Sequence, residues 1–253
     1  MIHHIKEGHV LVEHKHGITG IEFFHPHSNA LPSAILQALA HEIHSAGMDD
    51  DTKVILLRSA GEGAFCAGAS LRELKDIQNE QQGKAFFSGF ANVINTMRKC
   101  PKLIIVRVQG KSVGGGVGLI AAADYAIGLE RSDVKLSELS IGIGPFVVAP
   151  VIEKKMGLAA FSQLAIDATM WRPADWARKR GLFAELHPDV ESMDESVNRL
   201  ANALLHSGPE AMSALKKIIW KGTDNWDELL QERAAISGAL VVSPAAKAAL
   251  AKL

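Results

Sequence analysis

Two glycine-rich turns stand where chemistry on a ligand could occur, each between an apolar strand-like run and a helix-like run. The first, residues 60–71, reads AGEGAFCAGASL, and the second, residues 109–116, reads QGKSVGGG. Small residues let a ligand approach the backbone closely, and the start of a helix offers unpaired N–H groups at its positive end. The two turns could therefore direct amide hydrogens at one oxygen atom, although either turn alone could serve packing only.

Glu138 is the candidate for proton transfer. It lies in the segment KLSEL, just after a short strand-like run and before the loop GIGP at residues 142–145. An isolated glutamate is usually a solvated surface charge, and it is seldom buried unless it is paired or functional. Residue type and position alone therefore favour the surface role.

Two nucleotide-binding patterns fail at single positions. Gly110-Lys111-Ser112 resembles the end of a phosphate-binding P-loop, but Ile105 stands where that motif needs a glycine. Leu119 occupies the place of the third glycine of the dinucleotide-binding pattern counted from Gly114. We expect no nicotinamide or other separate cofactor.

The histidines and cysteines offer weak metal and nucleophile candidates. Seven histidines crowd the first 27 residues, and we expect His14 and His16 to share one face of a strand. Without a nearby carboxylate or cysteine partner, packing or surface roles are favoured and no metal site is predicted. Cys66 has no evident histidine partner, which favours a small buried side chain over a nucleophile.

The elements that must position these residues follow an alternating pattern up to about residue 189. Four β-rich runs, at residues 18–24, 54–59, 103–108 and 125–129, alternate with helix-like stretches. This order predicts an α/β fold with a parallel or mixed sheet. In the first helix, which starts near Pro32, one face carries the apolar residues Ile35, Leu36, Leu39 and Ile43.

The last quarter of the chain has a different pattern. After Ser192 there is no convincing strand, and Val197, Leu200 and Leu204 recur at helical spacing. We predict a core over residues 1–191 and a helical region over residues 192–253. The apolar stripe of such helices needs a partner, so this region should cover the core or pack against a neighbouring subunit.

Composition narrows the class of protein. The chain has 253 residues, of which 47% are hydrophobic and 22% charged, with a formal net charge of −1. These values favour small-molecule chemistry over binding to nucleic acid or to an anionic membrane. Two cysteines, no apolar stretch long enough to span a bilayer and no signal-peptide pattern predict a reduced, cytoplasmic protein.

Three motifs together resemble the crotonase superfamily, the enoyl-CoA hydratase/isomerase family. FCAGASL, then GGG followed by a helix containing AAADYAI, then SELSIGIGPF occur in the family's order, and the resemblance covers most of the chain. It implies a spiral of ββα turns forming two roughly perpendicular sheets, followed by a C-terminal helical region. It also implies an acyl-CoA thioester as substrate and assembly as a homotrimer or a dimer of trimers.

The resemblance also assigns residues. It implies that the backbone N–H groups of Ala69 and Gly115 form an oxyanion hole, which would stabilise an enolate oxygen by about 3–4 kcal/mol per donor. The residues implied to border the substrate are Ala30 in the early N-A-L turn, Ala67, Gly68, Ser70 and Leu71 in the first turn, Gly114 in the second, and Gly118 two residues after it. Asp124 is implied to be structural.

Glu138 aligns with the second of two glutamates that hydratases of this family use, whereas Gly118 stands where the first is required. Adding water across a double bond with two glutamates needs both. The resemblance therefore favours a Δ3,Δ2-enoyl-CoA isomerase in which one glutamate moves a proton between C2 and C4. The alternatives are a hydratase with a displaced second acid, such as Glu73, and a non-catalytic CoA-binding protein.

Overall fold

The computed structural model describes residues 1–253, and nine strands form two sheets. The strands are Ile2–Ile5 (β1), Gly8–Lys15 (β2), Ile18–Phe24 (β3), Val54–Ser59 (β4), Leu103–Val108 (β5), Ser112–Val113 (β6), Tyr125–Leu129 (β7), Val134–Lys135 (β8) and Glu185–His187 (β9). The larger sheet has the order β1-β2-β3-β4-β5-β7-β9, so each new strand is added at the same edge. β1 to β3 are antiparallel, and β3, β4, β5, β7 and β9 are parallel.

The four strands predicted from the sequence are present with the predicted bounds. Their apolar side chains are buried, most completely in β5, because helices cover both faces of a parallel sheet. The hairpin β1-β2 was not predicted. His14 lies on β2, but His16 lies in the following turn with a φ of 50°, so the expectation that both share one strand face was wrong.

A second, smaller layer runs beside the main sheet. β6 pairs with β8. Two single bridges extend this sheet: Cys66 pairs with Ser112 of β6, and Arg172 pairs with Val134 of β8. A further bridge joins Leu31 to Ala69. The chain therefore repeats a long strand, a short strand and a helix, which is the crotonase spiral.

Eleven helices complete the fold. They are Ser33–Met48 (α1), Leu71–Asp76 (α2), Glu80–Lys99 (α3), Gly115–Ala122 (α4), Ala149–Met156 (α5), Leu158–Ile166 (α6), Ala174–Lys179 (α7), Val190–Leu205 (α8), Pro209–Ile219 (α9), Trp226–Val241 (α10) and Pro244–Leu250 (α11). The four apolar residues predicted for one face of α1 are fully buried. Every residue of α4 is buried, as expected for a helix that is apolar all round. No helix combines the length and the apolar composition that a membrane span would need.

The residues after β9 form helices only, and these cover other parts of the same chain. α8 packs on the main sheet, α10 packs along α3, and α11 contacts α2 and the short 3-10 turn Glu138–Ile141. Asp124 supports this arrangement: its carboxylate accepts hydrogen bonds from the Lys216 ammonium at 2.8 Å and from Trp220 Nε1 at 2.9 Å. The division into units 1–191 and 192–253 stays a prediction.

Candidate active site

The two glycine-rich turns lie side by side. Val113 N–H donates to the Cys66 carbonyl at 2.9 Å, and Cys66 N–H donates to the Lys111 carbonyl at 3.3 Å. Gly68 has a φ of 86°, and a Cβ there would lie 2.8 Å from the Val113 carbonyl oxygen. Glycine therefore permits both the backbone conformation and the close approach of the two turns.

The N–H groups of Ala69 and Gly115 donate no hydrogen bond within the chain. In the bridge between Leu31 and Ala69, Leu31 bonds to the Gly68 carbonyl and to Ser70 N–H, which leaves Ala69 N–H unused. Gly115 is the first residue of α4, where N–H groups have no partner within the helix. Both residues line one cavity, so two free amides are available there to a ligand oxygen.

Asn29 fixes the segment that precedes this bridge. Its side-chain oxygen accepts from His25 N–H at 3.1 Å, and its amide group donates to the carbonyls of Ala60 and Ala64 at 2.9 and 3.0 Å. Asn29 has a φ of 55°, a conformation that asparagine tolerates better than most residues. The early N-A-L turn therefore holds Leu31 against the first glycine-rich turn.

Glu138 points its carboxylate into the same cavity. The residue is partly exposed, but Oε2 is buried and has no hydrogen-bond partner. Removal of the carboxyl group from water raises the pKa of Glu138 to about 7, and a hydrogen bond from its own backbone amide opposes part of that rise. A carboxyl group with such a pKa can both accept and return a proton near neutral pH.

Gly114 brings the acid and the second turn together. Its φ of 53° and ψ of −116° lie in a region that L side chains rarely adopt. A Cβ at this position would lie 2.6 Å from Glu138 Oε1. Glycine at 114 therefore allows the carboxylate to lie directly beside the residue that precedes the free Gly115 amide.

The cavity around these groups is mostly apolar. Of its 20 lining residues, 12 are hydrophobic, and Glu138 is the one with an ionisable side chain. α3 contributes Phe87 and Phe90, the segment before α5 contributes residues 143–148, and α10 contributes Ser237. The site therefore offers one carboxyl group and two free amides in a poorly hydrated space.

The residues assigned by resemblance divide into two groups. Six of the assigned glycine-rich-turn residues line the cavity, namely Ala67, Gly68, Ala69, Leu71, Gly114 and Gly115. Ala30, Ser70 and Gly118 do not line it. Ala30 is buried next to the bridge, and the Ser70 hydroxyl caps the start of α2 by accepting from Glu73 N–H.

Gly118 lies behind a cavity wall. It is fully buried in α4, and a Cβ there would lie 2.5 Å from Val148 Cγ1. Val148 itself lines the cavity, so its side chain occupies the space toward which position 118 faces. Glu73 also lies outside the cavity, where its carboxylate accepts hydrogen bonds from Ser33 N–H at 2.9 Å and Ser33 Oγ at 2.7 Å.

Two histidines and a carboxylate lie close together at one place outside the cavity. Potential ligand atoms of Glu7, His25 and His27 lie within 4.8 Å of one another, so the expectation that no carboxylate lies near the histidines was wrong. Glu7 is paired with Arg72 at 2.8 Å, and His25 Nδ1 accepts from His27 N–H at 3.3 Å. These existing partners favour packing over metal binding.

Cys66 is fully buried beside the first turn. Burial raises the pKa of its thiol to about 12, although the Gly68 N–H group that donates to its sulfur opposes this rise. A thiol with so high a pKa is a poor nucleophile. The predicted role as a small packing residue agrees with this environment.

Sequence reasoning missed part of the cavity wall. Phe87, Val148 and Ser237 come from different parts of the chain, and none of them belongs to one of the three motifs or carries a charge. Apolar residues at such positions look like ordinary core residues in the sequence. The motifs therefore predicted the reacting groups and the wall around them, but gave no signal for the parts that α3, α10 and Val148 contribute.

Comparison with known proteins agrees with this architecture. Residues 13–248 match the family described as enoyl-CoA hydratase/isomerase. The chain belongs to this family. The chain is similar to the mitochondrial methylglutaconyl-CoA hydratase of Mus musculus, with 26% identity over 200 residues, or 78% of this chain and 63% of that protein. The alignment thus spans less than two thirds of the mouse relative.

Two further similarities bear on the family and the fold. The short-chain-enoyl-CoA hydratase of Clostridium acetobutylicum is 27% identical over 195 residues, which cover 77% of this chain and 74% of that protein. The crystal structure of an enoyl-CoA hydratase from Bacillus halodurans superposes with a TM-score of 0.89 at 20% identity, covering 96% of this chain and 99% of that one. At this identity the superposition establishes the crotonase fold.

Proposed function

We propose that this family member is an enoyl-CoA isomerase that moves a double bond from the 3 to the 2 position of an acyl-CoA thioester. The observation that supports it is that Glu138 provides the one ionisable side chain in the cavity that also holds the free amides of Ala69 and Gly115. Moving a proton between two carbons of one substrate needs a single group that accepts it and then returns it.

In the proposed mechanism, the thioester oxygen accepts hydrogen bonds from Ala69 N–H and Gly115 N–H. The Glu138 carboxylate removes a proton from C2 of the 3-enoyl group, and the electrons move into an enolate whose oxygen the two amides stabilise. The protonated Glu138 then gives the proton to C4, and the double bond forms between C2 and C3. The enzyme returns to its initial state with no other reactant.

Separate assays with 3-enoyl-CoA and 2-enoyl-CoA test the proposal. We expect conversion of 3-hexenoyl-CoA to 2-hexenoyl-CoA to exceed hydration of 2-hexenoyl-CoA in kcat/KM, with no release of free CoA. Faster hydration would overturn the isomerase assignment, and release of the CoA thiol would indicate thioester hydrolysis. Binding without turnover of either substrate would favour the non-catalytic alternative.

Hydration of 2-enoyl-CoA is the second candidate function, because similar proteins are named as hydratases. The candidate displaced acid, Glu73, lies on α2 outside the cavity and is hydrogen-bonded to Ser33, so its position does not support that role. Assembly as a homotrimer or a dimer of trimers stays a prediction from the family resemblance.

The rate should depend on pH through Glu138. Because the carboxyl group must be ionised to accept the first proton, and burial raises its pKa to about 7, kcat/KM for isomerisation should rise with pH up to about 7 and then level off. Below that pH we expect a fall of about tenfold per pH unit. Stopped-assay rates between pH 5.5 and 8.5 would reveal it, and a flat profile would argue against Glu138 as the base.

A further inference from the structure

The size of the cavity bears on which acyl groups it can hold. Its volume is about 70 Å³. A cavity of limited volume can hold only acyl groups of limited length, so the residues that form its wall bear on chain length.

One short segment closes the cavity on the side of α5 and α6. Gly144, Pro145 and Phe146 line the cavity on one side, and the same three residues line an outer groove of about 860 Å³ on the other. Nine of the 17 residues along this groove are hydrophobic, including Leu158 and Phe161. The wall between the two spaces is therefore thin.

The ring of Phe146 is the largest side chain in that wall. It folds back over Gly144, where a Cβ would lie 2.4 to 2.8 Å from three of its ring atoms. Only glycine at position 144 leaves room for the ring. The ring is partly buried because its other face borders the groove. A chain extending beyond the cavity in this direction would meet the ring first.

We propose that Phe146 limits acyl-chain length by closing the cavity to longer acyl groups, and that loss of its ring joins the cavity to the outer groove. The cavity contains no lysine, arginine or histidine, so the acyl group it accepts should carry no second carboxylate. The inference rests on the proposed function only in taking this cavity as the acyl site.

Binding of saturated acyl-CoA thioesters tests this limit without any turnover. Dissociation constants for butyryl-, hexanoyl-, octanoyl- and decanoyl-CoA would be measured by calorimetry for the native protein and for Phe146→Ala. The affinity of the native protein should stop rising with chain length before decanoyl-CoA. Phe146→Ala should gain up to about fourfold per added methylene, since that is the effect of burying one methylene group.

Two further variants make the result specific. Phe161→Ala removes a ring that lines the groove but not the cavity, and it should keep the native chain-length profile. Phe146→Leu keeps an apolar side chain and should shift the limit less than Phe146→Ala; it also serves if the alanine variant does not fold. The same profile in the native protein and both Phe146 variants, or a native protein that gains affinity up to ten carbons, would overturn the inference.

Failure of the isomerase proposal can be distinguished from failure of the chain-length inference. If 3-enoyl-CoA is not isomerised but the saturated thioesters still show a limit that depends on Phe146, the isomerase proposal fails and the inference stands. If isomerisation is observed and the chain-length profile does not depend on Phe146, the isomerase proposal stands and the inference fails.

Discussion

Glu138→Gln is expected to lower the rate of isomerisation by ~10²–10⁴-fold while binding of acyl-CoA changes little. Glutamine keeps the shape of the side chain but cannot accept the proton from C2. The rate should be measured as single-turnover conversion of 3-hexenoyl-CoA, with butyryl-CoA affinity as the control for an intact cavity. Near-native turnover by the glutamine variant would remove Glu138 from the mechanism.

The same substitution should also change stability, in a direction that depends on pH. In the unfolded chain the carboxyl group ionises near its ordinary pKa of 4.5, whereas burial raises the pKa in the folded protein to about 7. Stability from this group is therefore complete below pH 4.5 and is lost as the pH rises through 7. The difference between the two pKa values corresponds to about 3 kcal/mol at most.

Because glutamine does not ionise, Glu138→Gln should be more stable than the native protein at pH 8, and the difference should shrink toward pH 5. Thermal unfolding followed at several pH values would reveal it. A stability difference that does not vary with pH would mean that the native carboxyl group is not held in a water-excluded environment.

A second acid placed opposite Glu138 should convert part of the activity to hydration. Gly118→Glu alone is expected to fail, because its Cβ would lie 2.5 Å from Val148 Cγ1, and overpacking of this kind typically costs ~1–3 kcal/mol. Combining it with Val148→Gly removes the obstructing side chain, and glycine is accepted well at a helix N-cap such as position 148. The new carboxylate could then hold a water molecule facing Glu138.

We expect the double variant to raise the ratio of crotonyl-CoA hydration to 3-hexenoyl-CoA isomerisation by at least about tenfold, since a positioned acid or base contributes ~10²–10⁴-fold. Val148→Gly alone is the matched control, because it enlarges the cavity without adding an acid. An equal rise in the control would attribute the effect to water entry. Efficient hydration by the native protein would show instead that another group already serves as the second acid.

Elements that depend on local sequence could be predicted, whereas those that depend on contacts between distant residues could not. β3, β4, β5 and β7 were predicted with their bounds because each is a short apolar run between turn residues, a local signal. The hairpin β1-β2 escaped prediction because its strands are only half buried, which weakens the alternation of polar and apolar residues.

In the site, too, features set by local sequence could be predicted and features set by distant contacts could not. The turns around Ala69 and Gly115 could be predicted, since glycine clusters and helix starts are visible in the sequence. The obstruction at Gly118 could not, because it depends on Val148, which lies 30 residues further along and reaches α4 only through the tertiary fold. The N-A-L turn suggested a substrate contact for Ala30, whereas the structure gives that segment a supporting role through Asn29.

Substitutions where α3 crosses α10 could change the cavity without altering the reacting groups. Gly83 and Gly238 let the two backbones touch: a Cβ on Gly83 would lie 2.6 Å from the Gly238 carbonyl oxygen, and one on Gly238 would lie 2.3 Å from Lys84 N. Ser237, the neighbour of that contact, lines the cavity. A single methyl group at this crossing would clash with the opposing backbone, so we expect it to displace Ser237 and change the shape of the cavity while every reacting group stays unchanged.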